Sequence, residues 1–108
     1  MKRIGIFGGS FNPIHNGHLH LADLYASELA LQEILLVPVY LPPHKSCPDL
    51  APAADRAEMC RLAAGQREYL SLCRLECDAA RVSYSWQTLR TLKEPRPGEE
   101  FFLLVGSD

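Results

Sequence analysis

Two histidines, His15 and His18, lie three residues apart at the end of a glycine-containing stretch that begins at Gly8 and reads GGSFNPIHNGH. An apolar run precedes this stretch and a helical pattern begins near His18, so a strand, a turn and a helix N-terminus are predicted in direct succession. Unpaired main-chain N–H groups and the positive end of a helix dipole suit such a junction to phosphate. We therefore predict that the stretch holds a nucleotide triphosphate and that both imidazoles meet this ligand.

The residues before the histidines strengthen this prediction. Gly8 and Gly9 are expected to allow close main-chain approach and unusual dihedral angles, and the Ser10 hydroxyl group can donate a hydrogen bond to a phosphate oxygen. A single histidine would more simply be a surface or capping residue, whereas a pair in this setting favours a ligand. Metal binding by the pair is the weaker alternative, because no acidic residue accompanies it in the loop.

Four apolar runs alternate with helical patterns along the chain, and they predict the elements that position the histidines. The expected strands are Arg3–Phe7, Ile34–Val39, Leu70–Cys77 and Phe101–Val105, and the expected helices run from near His18 to Leu29, over Ala53–Ala64, and from Ser83 or Ser85 to Leu92. This alternation favours an α/β fold with a doubly wound, Rossmann-like parallel sheet. In the usual strand order 3-2-1-4, the ligand crevice lies between the carboxyl ends of strands one and four.

Local signals refine the helices. The second helix has Pro52 or Asp55 near its start and Gly65 at its end. The segment from Tyr40 to Pro52 is polar and proline-rich, so a surface loop is predicted there. The first helix is expected to pack on the sheet through an apolar stripe formed by Leu19, Ala22, Ala26 and Leu29 and widened by Leu21, Leu24 and Tyr25.

The composition is that of one small globular domain covering residues 1–108. Apolar residues make up 47% of the chain, charged residues 22%, and the net charge is −2. This charge gives no reason to expect nucleic acid or an anionic membrane as a partner. No apolar signal region precedes the first strand and no run is long enough to cross a bilayer, so a cytoplasmic location is expected.

The cysteine spacing does not indicate a metal site. No CxxC pair is present, and the closest pair, CxxxC, lies in a run with strand-like alternation. We therefore expect free and mostly buried thiols, with structural zinc or disulfides as the alternatives. The four residues are Cys47, Cys60, Cys73 and Cys77.

The tetrad His15-Asn16-Gly17-His18, preceded by GGSFNP, resembles the signature of the HxGH nucleotidyltransferase superfamily. The longer stretch GIFGGSFNPIHNGHL is most similar to bacterial nicotinate (nicotinamide) mononucleotide adenylyltransferases. Three later stretches agree with the family in order, namely PPHK at Pro42–Lys45, SYS at Ser83–Ser85 with Thr88 and Leu89, and Phe101–Asp108 with its Gly-x-Asp ending. The chain thus resembles the N-terminal portion of these enzymes, so its domain is expected to be incomplete at the C-terminus and its sheet truncated after the fourth strand.

The resemblance implies a reaction in NAD biosynthesis. Family members move AMP from ATP to nicotinate mononucleotide by direct in-line attack, giving deamido-NAD and pyrophosphate, with Mg²⁺ carried by ATP. ATP and nicotinate mononucleotide are then the expected partners, and a homo-oligomer is left open. Two alternatives remain: a non-catalytic nucleotide-binding fragment, and a related HxGH enzyme with another phosphorylated acceptor such as phosphopantetheine.

The resemblance also implies roles for individual residues. His18 is expected to be the main stabiliser of the transition state, and Asp108 to bind the adenosine ribose. The expected catalytic residues are His15, His18 and Lys45. The residues expected to bind ATP or its phosphates are Gly8, Gly9, Ser10, Phe11, His15, Gly17, His18, Gly106 and Asp108. The residues expected to bind the mononucleotide are Phe11, His44, Lys45, Tyr84 and Ser85. Arg56 matches a frequent family arginine and is interpreted as structural, and Trp86 is interpreted as a core residue.

Two departures from the family are evident. Asn12 stands where the family usually has aspartate, and we expect this change to be tolerated because both side chains favour turns and form hydrogen bonds. The family also continues beyond Asp108 to a segment rich in Ser and Thr, with an arginine, that completes the triphosphate site. Strand four is therefore expected to be an uncovered edge.

Overall fold

The structure is a computed structural model that describes residues 2–40, 50–75, 90–92 and 98–104. The elements in chain order are β1 (Arg3–Gly9), α1 (Asn16–Glu28), β2 (Glu33–Pro38), α2 (Ala53–Ala64), β3 (Leu70–Leu72) and β4 (Glu100–Leu104). Residues 90–92 are also helical. The four strands form one parallel sheet in the order β3-β2-β1-β4. The predicted strand order and the Rossmann-like fold class are confirmed.

β1 is two residues longer than predicted. Gly8 and Gly9 continue the parallel ladder with β2, where Gly8 is the register partner of Val37. Extended backbone in a strand requires a negative φ, and neither glycine has a positive one. The expectation of unusual dihedral angles at these two glycines is therefore wrong. Positive φ occurs instead at Phe11 (48°) and Ala30 (52°).

β3 is shorter than predicted. It ends at Leu72, and Cys73 makes one more hydrogen bond, from its N–H to the carbonyl of Leu36 at 2.8 Å, outside the strand. The strand prediction is wrong for residues 73–75, while residues 76 and 77 lie outside the described part of the chain. β4 begins one residue earlier than predicted, and Val105 is likewise not described.

The two helices agree closely with the sequence prediction. α2 has the predicted bounds, begins after Pro52 and ends before Gly65. Gly65 has a right-handed conformation, with φ −63° and ψ −13°. α1 begins two residues earlier than its apolar pattern suggests, because His15 caps it.

The hydrophobic core lies on both faces of the sheet, which confirms the doubly wound arrangement. On the face covered by α1 and α2, the buried residues include Phe7, Leu19, Ala22, Ile34, Leu36, Cys60 and Leu70. On the opposite face they are Ile4, Ile6, Leu35 and Val37, with Leu92 and Phe101 packed against them. Leu24 of α1 is 47% exposed, so its assignment to the apolar stripe is wrong.

A polar cluster fastens α1 to the segment between α2 and β3. Asp23 accepts hydrogen bonds from the Arg67 guanidinium, at 3.0 Å from Nε, and from the Tyr69 hydroxyl group. The hydrogen bond from Arg67 lowers the pKa of Asp23 below its usual range. Burial raises the pKa of Tyr69 to about 12. These contacts join α1 to a segment that lies 44 residues further along the chain at Arg67.

Neither described cysteine forms a disulfide. Cys60 is buried and Cys73 is half-buried. Cys47 and Cys77 lie outside the described residues. Within the described ranges, no helix has the length and apolar character needed to cross a bilayer.

Candidate functional site

The candidate site lies at the carboxyl end of β1, the strand that pairs with β2 on one side and β4 on the other. β2 continues to β3, whereas β4 lies on the other side of β1, so this is the point where the strand order reverses. In open parallel sheets, ligands bind in the crevice at such a point. The loop from Ser10 to His15 and the start of α1 form this edge.

His15 and His18 build the start of α1 as a reciprocal capping box. Gly17 N–H donates to His15 Nδ1 at 3.0 Å, and His15 N–H donates to His18 Nδ1 at 3.0 Å. The ring centroids are 4.0 Å apart, with an angle of 33° between the planes. The predicted pair is therefore brought together, and it also provides the helix cap that serine and glutamate usually form.

This cap changes which groups can serve as hydrogen-bond donors to a ligand. The N–H groups of His15 and Gly17 donate to imidazoles, and that of His18 donates to the His15 carbonyl at 3.0 Å. The expectation of unpaired main-chain N–H groups is wrong for these three residues. Because Nδ1 of each ring accepts an N–H, the hydrogen-bond pattern assigns the proton of a neutral ring to Nε2. At these three residues, a ligand would therefore be met by side-chain rather than main-chain N–H groups.

Gly17 is required by the packing of the His15 ring. A Cβ atom at this position would lie 2.8 Å from Cε1 and 2.9 Å from Nδ1 of His15. Contacts this short would force the imidazole away from the Gly17 N–H group, from which its Nδ1 accepts a hydrogen bond. The glycine of the HxGH tetrad thus permits the cap.

The two imidazoles differ in their surroundings. His18 is 5% exposed, and its ring lies edge-on to the rings of Phe7 and Phe11 at centroid distances of 6.3 and 5.1 Å. His15 is exposed. The His18 ring is consequently held by the core, while the His15 ring lies at the surface beside it.

Phe11 links the loop to the core. Its side chain is 2% exposed and packs edge-on against Phe7 at 5.6 Å. A positive φ of 48° is unusual for a bulky residue and is found where surrounding contacts enforce it. A Cβ at Gly9 would make only ordinary contact with the Phe11 ring, at 3.5 Å. The Phe11 side chain therefore anchors the loop in the core.

Asn12 anchors the same loop to the chain before α2. Its Oδ1 accepts a hydrogen bond from Ala51 N–H at 3.0 Å, and the following peptide bond, Asn12–Pro13, is cis. An aspartate carboxylate has an acceptor oxygen in the corresponding place. The contact requires only an acceptor oxygen, which asparagine and aspartate both have.

Arg56 is the residue whose importance the sequence interpretation underestimated. It is 1% exposed and donates hydrogen bonds to four main-chain carbonyls, including that of Ser10 in the loop. A structural role is confirmed, and the structure connects it to the site. Its position on the buried face of α2, next to Ala57 and one turn before Cys60, was the available signal.

The structure places the N-terminal group of predicted site residues together at the end of β1. Among the described residues, no three His, Cys, Asp or Glu side chains are grouped so that they could hold a metal ion. The residues placed at this edge are Gly8, Gly9, Ser10, Phe11, His15, Gly17 and His18. The predicted site residues outside the described part are His44, Lys45, Tyr84, Ser85, Gly106 and Asp108, and so is Trp86.

Comparison with known proteins decides the family. The profile of the cytidylyltransferase-like family matches residues 6–108. The chain belongs to this cytidylyltransferase-like family. A Desulfotalea psychrophila protein with the name "Probable nicotinate-nucleotide adenylyltransferase" is 43% identical over 111 residues, and a Rubrobacter xylanophilus protein with the same name is 44% identical over 107 residues. These relatives confirm the predicted resemblance to nicotinate mononucleotide adenylyltransferases.

The match extends over about half of each relative. The alignments cover 100% and 98% of this chain but 53% and 50% of the Desulfotalea and Rubrobacter proteins, in their N-terminal half. A solved Plasmodium falciparum nicotinic acid mononucleotide adenylyltransferase complexed with NaAD has a TM-score of 0.82 at 27% identity. That match covers all of this chain and 53% of the Plasmodium chain. The chain therefore spans about half the length of the curated relatives it matches.

Proposed function

We propose that the chain forms the nucleotide-binding half of an adenylyltransferase that moves AMP from ATP to nicotinate mononucleotide. The observation that carries this proposal is the pair of imidazoles, 4.0 Å apart, at the carboxyl end of β1. Both use Nδ1 as an acceptor, so their neutral rings have Nε2–H groups, which suit phosphate oxygens. The names of the longer relatives and the NaAD of the Plasmodium complex support the choice of acceptor substrate.

In the proposed reaction, a phosphate oxygen of nicotinate mononucleotide attacks the α-phosphorus of ATP in line. A phosphorus–oxygen bond forms to the mononucleotide as the bond to the bridging oxygen breaks, giving deamido-NAD and pyrophosphate. The protein forms no covalent bond to the nucleotide, so it contributes position and charge neutralisation. Mg²⁺ enters with ATP as part of the substrate.

His18 is our candidate for the main donor to the phosphate in the transition state. Its ring is buried between aromatic side chains and its Nδ1 is held by the main chain, so its direction is set before the ligand arrives. Such preorganisation is what makes a donor effective in catalysis. The exposed His15 and the Ser10 hydroxyl group are assigned to phosphate oxygens at the same edge. The other residues assigned to ATP at this edge are Gly8, Gly9, Phe11 and Gly17.

The family resemblance supplies the other assignments in this proposal. A lysine acts as a point charge for phosphate, and a carboxylate can bind ribose hydroxyl groups. The residues assigned to the mononucleotide are Phe11, His44, Lys45, Tyr84 and Ser85, with Lys45 also near the reacting phosphate. Gly106 and Asp108 are assigned to ATP, with Asp108 at the adenosine ribose.

The test compares two proteins, the 108-residue chain and a chimera. The chimera joins residues 1–108 to the part of the Desulfotalea protein that follows its matched half. Each is incubated with ATP, Mg²⁺ and nicotinate mononucleotide, and pyrophosphate release is measured. We expect release from the chimera. A folded chimera, as judged by circular dichroism, that releases no pyrophosphate would contradict the proposal.

The half-length match favours a second candidate, nucleotide binding by the 108 residues without turnover. This candidate predicts that the chain alone binds ATP in isothermal titration calorimetry while releasing no pyrophosphate. Parallel reactions with CTP, or with phosphopantetheine in place of the mononucleotide, test the other members of the superfamily. Faster pyrophosphate release with CTP or with phosphopantetheine would show that this compound, rather than the proposed substrate, is used.

A further inference from the structure

Arg56 is a buried cation in the first turn of α2. Its side chain is 1% exposed and lies on the helix face that also buries Ala57 and Cys60. Removing a guanidinium group from water is costly unless hydrogen bonds replace its hydration. The partners of Arg56 therefore show what this arrangement stabilises.

All four acceptors of Arg56 are main-chain carbonyl oxygens. Nε donates to Ala51 at 2.7 Å, Nη1 to Val39 at 2.6 Å and to Ser10 at 2.9 Å, and Nη2 to Tyr40 at 2.9 Å. These carbonyls belong to three segments: the loop after β1, the chain that follows β2, and the chain before α2. A planar guanidinium has donors in fixed directions, so one side chain sets the relative positions of all three segments.

Arg56 continues the connection between β1 and β2 after the strands end. Val39 N–H donates to the Gly9 carbonyl at 3.0 Å, one residue beyond the paired part of β2. Nη1 of Arg56 then bridges the next pair of carbonyls, those of Val39 and Ser10. The two segments that follow β1 and β2 thus leave the sheet at a fixed separation. The same guanidinium binds Tyr40 and Ala51, which flank the stretch containing His44 and Lys45.

The hydrogen bond from Arg56 to Ser10 is linked to His18 through one residue, Phe11. In a planar trans peptide, C=O and N–H point in opposite directions. Holding the Ser10 carbonyl toward α2 therefore turns the Phe11 N–H away from α2. The orientation of this peptide plane fixes the direction in which the main chain enters Phe11. The Phe11 ring packs on the His18 ring at 5.1 Å.

We propose that Arg56 is a positioning residue of the nucleotide site, whose guanidinium holds the loop after β1 so that Phe11 and His18 keep their orientation. Its effect on turnover rests on the proposed function. Its effect on the His18 ring does not. Arg56 acts through the main chain of Ser10, and lysine cannot replace it because an ammonium group lacks the planar fork.

The first measurement is the turnover of the chimera carrying Arg56→Lys. Displacing the His18 ring, which is proposed to hold the reacting phosphate, lowers kcat. We therefore expect kcat to fall by about 10- to 100-fold, with a smaller change in the KM for ATP. The matched control is Cys60→Ala, which removes a buried side chain from the same face of α2. We expect this control to lower the melting temperature but to keep kcat within about twofold at a temperature where both variants are folded.

The second measurement uses the 108-residue chain and needs no activity. The proton–carbon correlation of His18 Cε1–Hε1 is recorded in the parent, in Arg56→Lys and in Cys60→Ala. We expect the peak to move by more than a linewidth only in Arg56→Lys. If that variant is unfolded by circular dichroism, Arg56→Gln, which keeps an amide donor, takes its place in both measurements.

Several outcomes would overturn the role assigned to Arg56. An Arg56→Lys chimera with parental kcat would do so, as would an equal loss of kcat in Cys60→Ala or an unmoved His18 peak. If the parent chimera releases no pyrophosphate, the proposed function fails, and the His18 peak still decides whether Arg56 positions that ring.

Discussion

The two helices that border the loop after β1 begin in opposite ways. α1 begins with a side-chain cap, in which His15 and His18 each accept a main-chain N–H group, and its first turn has no acidic residue. α2 begins after Pro52 without a side-chain cap, and its first turn contains Asp55. Both are ordinary in length, with 13 and 12 residues, so the difference lies in the chemistry of their starts.

The difference separates a helix start suited to a ligand from one that serves the structure. An acidic residue in the first turn offsets the positive end of a helix dipole, and Asp55 does so in α2. The positive charge of Arg56, in the same turn, is directed inward to carbonyl oxygens. At α1 no such acid is present in the first turn, and imidazoles lie at that end. This contrast supports the proposal that phosphate binds at the start of α1.

The largest effect should come from removing the donor at the start of α1. In the chimera, His18→Ala is expected to lower turnover by about 10²- to 10³-fold, the usual effect of losing one group that stabilises developing charge. The measurement is the rate of pyrophosphate release at saturating ATP. His20→Ala is the matched control, because His20 is an exposed histidine of the same helix. Near-parental turnover in His18→Ala would contradict the role of this ring.

A smaller effect should separate capping from ligand binding at His15. Asparagine is among the best N-cap residues, so His15→Asn is expected to keep the stability of the 108-residue chain, whereas His15→Ala should lose about 1 kcal/mol. A loss of this size lowers the melting temperature by roughly 4–8 °C in a domain of this length. Both variants lack the imidazole, so both should bind ATP more weakly in calorimetry. Equal melting temperatures for the two variants would show that the cap seen in the structure contributes nothing.

The elements of the fold could be predicted where local signals define their limits. Pro52 and Gly65 mark the ends of α2, and the prediction of its bounds is confirmed. The end of β3 depends instead on its partner, since β3 pairs with only three residues of β2. The alternating apolar pattern continues past Leu72, so the sequence predicts a longer strand. Likewise, Gly8 and Gly9 belong to β1 because β2 extends beside them, which no local pattern indicates.

The histidine pair could be predicted from its spacing, but not the way in which its atoms are used. Whether Nδ1 of His15 accepts Gly17 N–H depends on a ring orientation that Gly17 permits by lacking Cβ. The contacts of Arg56 are harder to predict, because one of its acceptors is 46 residues away, at Ser10. Every residue has a main-chain carbonyl, so no residue type in the sequence identifies the acceptors of Arg56.

Exchanging the charge pattern of the two helix starts should give the smallest effects and the sharpest comparison. Asn16→Asp places a carboxylate in the first turn of α1, where the dipole should stabilise the chain by about 0.3–1 kcal/mol at low ionic strength. The same carboxylate repels the phosphates of ATP, and we expect about tenfold weaker binding, equivalent to about 1.4 kcal/mol. In α2, Asp55→Asn should lower stability by a similar 0.3–1 kcal/mol and leave ATP binding within about twofold. Chemical denaturation and calorimetry on the 108-residue chain measure both quantities. If Asn16→Asp binds ATP as well as the parent does, the start of α1 is no more suited to an anion than that of α2, and the distinction between the two helices is wrong.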